Sequence, residues 1–341
     1  MPFTFSQIET KNLAKEDLCI TDLRDAPVRG RKKTTFRLAQ QNMLAYTFPN
    51  FIPGFAESGI NGMPYRELID RPLDNALKEG DLLYGVDFKV EGNAKSKVAG
   101  DVYEKISSAV LWNAAAWWNR FMVGDSWPSK PKYARPNVKP SPPARQVAIL
   151  NLPREYDWVR LLEPGARDQI NELRNGLDGK GFGLPTSTPD LAVVVLPEEW
   201  RDNDLWRTPL PDLKRPSQAI LDSAPKYVEG YVSAGEIILA IAFKSSLRSD
   251  RLYQPLYEAN VMQLLLEGHL NAPKVEFEVH TLESAGTNAK VTYTAASLYA
   301  VAKNDPDVHR AVRELYQPPN AGDLVKRMFS FLNERMALVP A

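Results

Sequence analysis

The stretch Pro189-Asp190-Leu191-Ala192-Val193-Val194-Val195-Leu196 places a carboxylate directly before a continuous apolar run. A short, valine-rich run of this kind is typical of a strand that is buried on both faces. A second apolar run, residues 237–243, ends at Lys244 and predicts another buried strand. The sequence therefore predicts two core strands, one that begins beside an acid and one that ends beside a lysine.

The segment that follows Lys244 predicts a helix that carries another acid. Pro255 is typical of a first helical turn, the helix is expected to run to about Glu267, and Gly268 lies just past its end. Glu258 lies on this helix, 14 positions after Lys244. Two acids and a lysine that converge at strand ends can hold a divalent metal ion against a phosphodiester and activate water. This pattern favours a metal-dependent nuclease.

A long helix with two different faces is predicted at residues 94–118. Three residues recur every four positions and form an apolar stripe: Val98, Val102 and Ile106. Lys97 and Glu104 belong to a polar stripe on another face and lie two turns apart, about 10 Å along the helix axis. A polar stripe is usually the solvated side of a helix. Here it can also present Glu104 to a metal site and Lys97 to DNA.

The rest of the chain mixes strand patterns with helix patterns. A strand is expected at residues 275–280, and helices are expected near 308–315 and at 321–338. Strands interleaved with helices predict an α/β or mixed fold. The length fits two domains or one large domain, and we expect a single domain over residues 1–341.

Two basic segments are candidates for contact with a phosphate backbone. The first is an N-terminal arm of about residues 1–40, in which five basic residues cluster: Arg29, Arg31, Lys32, Lys33 and Arg37. The second is a proline-rich basic loop, residues 128–145, with six prolines, five basic residues and no acid. Taken alone, the first segment is better read as a solvated loop, whereas the second fits a phosphate contact and a solvated connection equally well.

The composition argues against several classes of protein. Lys plus Arg equals Asp plus Glu, at 42 each, which disfavours a nonspecific nucleic-acid coat protein but not a nuclease with local basic clusters. Cys19 is the single cysteine, so a cytosolic protein without an intrachain disulfide is expected. No apolar run approaches the roughly 18 residues of a membrane helix. The three histidines lack the spacing of a zinc site.

The arrangement of Asp190 and Lys244 resembles the PD-(D/E)XK nucleases, in which a second acid stands two residues before the lysine. Ala242 occupies that position here, so the usual motif is broken. The acid displaced to Glu258 resembles the type II restriction endonucleases that recognise a CCGG core. The stretch Arg248-Ser249-Asp250-Arg251 resembles the core-reading motif of that family, although alone it would also suit a helix cap with surface arginines.

This resemblance implies the restriction-endonuclease-like α/β fold, a mixed central sheet flanked by helices, and it implies roles for individual residues. The catalytic residues would be Asp190, Lys244, Glu258 and Glu104. One or two Mg²⁺ ions per active site would be held by Asp190, Glu258 and Glu104. The CCGG core would be read by Arg248, Asp250 and Arg251, and the outer base pairs by Lys97 and Arg31.

Residues 38–48, 184–190, 246–268 and 331–335 extend the resemblance to members of this family that cut the octamer CRCCGGYG after the purine and leave four-base 5′ overhangs. The implied partners are double-stranded DNA, a second copy of the chain in a homodimer, and a companion DNA methyltransferase. Members of the family also form tetramers and longer DNA-bound assemblies. The resemblance implies a prokaryotic, cytoplasmic protein without a membrane partner.

Three other interpretations are open from the residues alone. A repair or junction-resolving nuclease of the same fold would need no base-reading motif at 248–251. A DNA-binding protein with an inactivated nuclease fold would not need the acids and the lysine. An ordinary structural α/β protein would carry them by coincidence. Discrete fragments from a plasmid of known sequence, produced with Mg²⁺, would separate these alternatives from a restriction enzyme.

Overall fold

The computed structural model describes residues 17–28, 31–49, 51–54, 59–85, 88–127, 133–140, 145–184, 186, 188–247, 249–283 and 288–337. At residues 21–28, 31–35, 59, 249 and 250 it describes the backbone without the side chain. None of the described helices is both long enough and apolar enough to cross a membrane.

A mixed five-stranded sheet forms the centre of the described part of the chain, with the strand order β3-β4-β5-β6-β7. Its strands are β3 (Val147–Asn151), β4 (Leu191–Val195), β5 (Ile237–Lys244), β6 (Glu276–Thr281) and β7 (Glu314–Tyr316). The first three pair in antiparallel fashion, and β6 and β7 pair in parallel fashion with the strands before them. The predicted strands at 191–196, 237–244 and 275–280 are confirmed, as is the mixed α/β class.

The register of β4 and β5 places the two predicted site residues at one edge of the sheet. Leu191 pairs with Ile241 in antiparallel orientation, so β4 begins where β5 ends. Asp190 precedes β4 and Lys244 ends β5, and the two side chains therefore meet. Both strands are buried on both faces, apart from the half-buried Lys244.

Helices surround this sheet. Their bounds are α1 Gln40–Thr47, α2 Tyr65–Tyr84, α3 Gly92–Met122, α4 Pro164–Asp178, α5 Arg215–Val228, α6 Ser249–Gln263, α7 Ala289–Thr292, α8 Leu298–Ala302 and α9 Ala321–Met336. Short 3₁₀ turns lie at Gly59–Gly62, Trp158–Leu161, Glu198–Trp200, Asp204–Arg207 and Ala234–Glu236. The predicted helices at 94–118 and 321–338 are confirmed within a few residues of their ends.

Helix α3 is fixed to the sheet by a buried amide. The Asn119 side chain donates to the Val147 carbonyl and accepts from the Val147 N–H, both at 2.8 Å. The predicted apolar stripe of Val98, Val102 and Ile106 is buried. Because the helix is held through both contacts, its polar face is presented at a defined position relative to β3.

Two predicted elements differ from the structure. The helix expected near 308–315 is wrong, because residues 303–313 are irregular and Glu314 already pairs with Glu278 of β6. Pairing with a neighbouring strand outweighs the local helix preference there. The helix after Lys244 begins at Ser249, six residues before Pro255, which lies inside it, and continues as a π-helical turn at Leu264–His269.

The predicted basic arm contains a β-hairpin. Strand β1 (Ile20–Val28) pairs in antiparallel fashion with β2 (Arg31–Leu38), and Arg29 lies outside the described residues. Of the predicted proline-rich loop, residues 133–140 and 145 are described and form neither helix nor strand. The backbone there is held from outside the loop, since Asn137 donates its N–H to the Asn333 side chain at 2.8 Å.

Candidate active site

Asp190 and Lys244 form the centre of the candidate site. The Asp190 Oδ2 atom accepts the Phe243 N–H at 2.6 Å and lies 3.4 Å from the Lys244 Nζ atom. The Asp190 backbone carbonyl also accepts the Leu152 N–H, at 3.0 Å. The acid is thereby tied to β5 through its side chain and to the segment after β3 through its backbone.

Glu104 of α3 faces the same cavity, which has a volume of about 800 Å³. Burial and the negative charge of Asp190 raise the pKa of Glu104 from 4.5 to about 8, while Lys105 and Arg154 act in the opposite direction. The negative charge of Asp190 therefore disfavours ionisation of Glu104 at this edge of the sheet. A positive charge between them would relieve that repulsion.

An asparagine at the end of β3 supports Glu104. With its amide nitrogen turned toward the acid, Asn151 donates to Glu104 Oε1 at 3.1 Å, and its oxygen accepts from Lys105 Nζ at 3.3 Å. Asn151 is a site residue that the sequence patterns did not predict. The signal that could have found it is a polar residue closing the apolar run at 147–150.

Glu258 occupies a different environment from the other two acids. It is buried, and it does not line the cavity that Asp190 and Glu104 share. Its Oε1 atom accepts from Gln254 Nε2 at 2.8 Å, and Gln254 does line that cavity. Among the described residues, the structure forms no group of three or more His, Cys, Asp or Glu side chains arranged to hold a metal ion. Glu258 is therefore one hydrogen bond away from the cavity.

The predicted DNA-reading residues are only partly described. Lys97 and Arg251 are exposed and line the cavity. Asp250 lies in the first turn of α6 and Arg31 begins β2, but the side chains of both are outside the described part of the structure. Arg248 lies outside the described residues altogether. The start of α6 nevertheless borders the cavity that contains Asp190.

Residues 49–334 match the model of the Cfr10I/Bse634I restriction endonuclease family. The chain belongs to this family. It is therefore a type II site-specific nuclease, and the PD-(D/E)XK resemblance led to the correct fold and enzyme class. No curated protein sequence matches the chain.

Solved structures agree with this assignment at the level of the fold. The crystal structure of the type IIF restriction endonuclease Bse634I with cognate DNA superposes with a TM-score of 0.70 at 16% identity, covering 93% of this chain and 98% of that one. A second structure of the Bse634I restriction endonuclease gives a TM-score of 0.68 at 18% identity, covering 91% and 96%.

Members of this family typically use divalent metal ions, and the donor set of the cavity fits one. Asp190 and Glu104 offer hard carboxylate oxygens, which Mg²⁺ prefers as ligands. Burial and the charge of Asp190 raise the pKa of Glu104, so a positive charge beside it would favour its ionised form. A divalent cation held by these two acids would supply the missing positive charge.

Proposed function

We propose that the protein cleaves double-stranded DNA with Mg²⁺ at a palindrome containing CCGG, giving 5′-phosphate ends with four-base 5′ overhangs. The observation that carries the proposal is the convergence of Asp190, Glu104 and Lys244 on one cavity in a member of this restriction endonuclease family. The resemblance of residues 38–48, 184–190 and 246–268 to the enzyme SgrAI supports the octamer CR^CCGGYG as the site.

The proposed chemistry assigns one task to each side chain. Asp190, with Oδ2 fixed by the Phe243 N–H, and Glu104, supported by Asn151, would hold the ion. When bound, Mg²⁺ lowers the pKa of a bound water and stabilises charge on the phosphoryl oxygens. Lys244 lies 3.4 Å from Asp190 and positions the attacking water while balancing charge on the phosphate. In-line attack then leaves a 3′-hydroxyl and a 5′-phosphate.

Glu258 is proposed to complete the set of metal ligands from helix α6. Its present partner on the cavity side is the amide of Gln254, at 2.8 Å. A carboxylate can exchange a neutral amide for a divalent cation, because the interaction between opposite charges is the stronger one. Glu258 would reach the ion after Gln254 releases it.

Recognition is proposed to come from the start of α6 and from two outlying cations. Arg248 and Arg251 donate to guanine O6 and N7, and Asp250 accepts from cytosine N4. Lys97 and Arg31 read the outer base pairs. The position of Arg251 and Lys97 on the cavity that contains Asp190 supports this assignment, because the base pairs read must adjoin the phosphodiester that is cut.

A palindromic site calls for a two-fold symmetric reader, so we infer a homodimer in which each subunit reads one half. The structure of Bse634I with cognate DNA supports DNA as the partner. Tetramers or longer DNA-bound assemblies, a companion methyltransferase that protects the host site, and a prokaryotic cytoplasmic location complete the proposal.

The deciding experiment is to digest genomic DNA with the purified protein and Mg²⁺ and to sequence every fragment end. We expect all ends to share one CCGG-containing site, with four-base 5′ overhangs that carry 5′-phosphates. Ends scattered over unrelated sequences, or confined to junctions and mismatches, would favour a structure-selective nuclease. Binding without any cleavage would favour a DNA-binding protein of this fold.

A further inference from the structure

One cation on the active-site cavity has no role in the chemistry or base reading described above. Arg154 follows β3 by three residues and lines the cavity together with Glu104 and Asp190. Its side chain is 68% exposed, and its Nη2 atom donates to Asp101 Oδ1 at 3.1 Å. An exposed ion pair of this kind is weak, because water screens it and two long side chains must be ordered.

The charges around Arg154 explain why DNA binding would require a cation at this position. Five acids line the cavity: Asp101, Glu104, Glu155, Asp157 and Asp190. The four cations that line it are Lys97, Arg154, Lys244 and Arg251, and Lys244 already pairs with Asp190. A phosphate backbone brings further negative charge to this lining, in which acids already outnumber cations. Cations at the rim must offset that repulsion.

We propose that Arg154 binds a DNA phosphate next to the one that is cut, exchanging the Asp101 carboxylate for the phosphate. This inference rests on the proposed DNA-cleaving function. The planar guanidinium group matches phosphate oxygens in a two-pronged hydrogen bond. Both partners of the exchange are accessible, since Asp101 is 30% exposed.

Arg154 lies near the acid that would hold the ion. Asp101 precedes Glu104 by three residues on α3, about 4.5 Å along the helix axis. Arg154, held at Asp101 by the ion pair, and Glu104 line the same cavity. A phosphate bound by the guanidinium group would therefore lie close to the one that is cut.

The test is equilibrium binding of a duplex with the cognate site at several salt concentrations, with Ca²⁺ in place of Mg²⁺. We expect Arg154→Ala to reduce the slope of log affinity against log salt by about 0.9 for each lost phosphate contact. Across a fourfold change in salt, this corresponds to roughly a threefold smaller loss of affinity per contact. The weakening should be equal on cognate and unrelated duplexes, because a phosphate contact carries no base information.

Arg120 provides the matched control. Its side chain is 41% exposed and is likewise paired with one aspartate, Asp125, at 2.8 Å. It lies on α3, 19 residues from Asp101, about 28 Å along the axis. Arg120→Ala should leave the slope unchanged, and Arg154→Lys should retain most of the wild-type slope while losing the two-pronged geometry.

Single uncharged methylphosphonates in the duplex supply a second measurement that needs no alanine variant. One substitution beside the cleaved position should weaken wild-type binding and have a smaller effect on Arg154→Lys and none on Arg154→Ala. A wild-type slope in Arg154→Ala, or equal sensitivity of all proteins at every position, overturns the role of Arg154. A wild-type protein that neither binds nor cuts any duplex would overturn the proposed function instead.

Discussion

The two ends of the site, around Asp190 and around Glu258, are held in different ways. Asp190 is fixed by the backbone, because Phe243 N–H reaches its side chain at 2.6 Å and Leu152 N–H reaches its carbonyl at 3.0 Å. On the cavity side, Glu258 is held by the side chain of Gln254, at 2.8 Å. The first anchor moves only if the sheet moves, whereas the second can change by side-chain rotation.

This difference separates a preformed half of the site from an adjustable half. Preformed ligands bind an ion without a cost for reorganisation. A ligand that must first give up a hydrogen bond binds only when its interaction with the ion, or the binding of DNA, offsets the free energy of that hydrogen bond. We therefore expect changes at the strand edge to abolish the reaction, and changes on α6 to alter metal requirement and DNA selection.

The largest effect is expected for Asp190→Asn. The amide keeps the size of the side chain and an oxygen for the Phe243 N–H, but it removes the charge that would hold the ion. Cleavage should fall by at least roughly 10³-fold, since several kcal/mol of transition-state stabilisation is lost. Binding of the duplex in Ca²⁺ should persist. Asp125→Asn, an exposed acid on a separate ion pair with Arg120, is the control. Full activity of Asp190→Asn would remove this acid from the mechanism.

The strand half of the site could be predicted from sequence, because strands that are buried on both faces appear as continuous apolar runs. The apolar runs at 191–196 and 237–243 each predict a buried strand, and Asp190 and Lys244 lie at their ends. The two runs do not reveal the register in which the strands pair. Only the pairing of Leu191 with Ile241 brings the two ends together.

The helix half of the site was harder to predict from sequence, because its geometry depends on where the helix begins and on side-chain partners. Pro255 suggested a start six residues too late. Residue spacing does not predict that Glu258 is buried or that Gln254 lies between it and the cavity. Strand β7 was missed for a related reason, since three half-buried residues become a strand only through pairing with β6.

The next largest effect is expected for Arg251→Ala, at the start of the adjustable half. A bidentate contact to guanine is worth roughly 1–3 kcal/mol of discrimination. Specific binding should therefore weaken by roughly 5- to 150-fold per half-site, with little change on an unrelated duplex. Competition between cognate and unrelated duplexes measures this ratio. Tyr253→Ala changes another exposed residue of α6 and serves as the control. Equal weakening on both duplexes would assign Arg251 to the phosphates instead.

Gln254→Ala tests whether the hydrogen bond to Glu258 matters for the ion. A hydrogen bond to a charged group typically contributes roughly 1.5–3 kcal/mol, and Glu258 must give up this one before it can reach the ion. We expect the Mg²⁺ concentration for half-maximal cleavage to fall by roughly 10-fold, while the maximal rate at saturating Mg²⁺ changes little. A Mg²⁺ titration of single-turnover cleavage separates the two quantities. An unchanged half-saturation point would show that Gln254 only occupies the cavity wall, and that both acids are equally preformed.

The smallest effect concerns Glu104, whose raised pKa belongs to the preformed half. The pKa is about 8 in the folded protein and 4.5 as the ordinary value, so the folded state holds an extra proton between those pH values. Stability from this group is therefore complete below about pH 4.5 and is lost as the pH rises to about 8. Between pH 5 and 8.5, the unfolding free energy of the metal-free wild type should fall by roughly 2 kcal/mol more than that of Glu104→Gln. Each pKa unit is worth about 1.36 kcal/mol, and water in the open cavity reduces the full value.

Thermal unfolding of both proteins in a chelator, across this pH range, measures the difference in stability. Added Mg²⁺ should cancel it above pH 8, where Glu104 is ionised. In the Asp190→Asn protein the loss should still begin near pH 4.5 but should end at a lower pH and be smaller, since the charge of Asp190 is the second cause of the raised pKa after burial. Parallel curves for the wild type and Glu104→Gln would mean that Glu104 and Asp190 do not share one electrostatic environment. The preformed half of the site would then consist of Asp190 and Lys244 without the helix α3 acid.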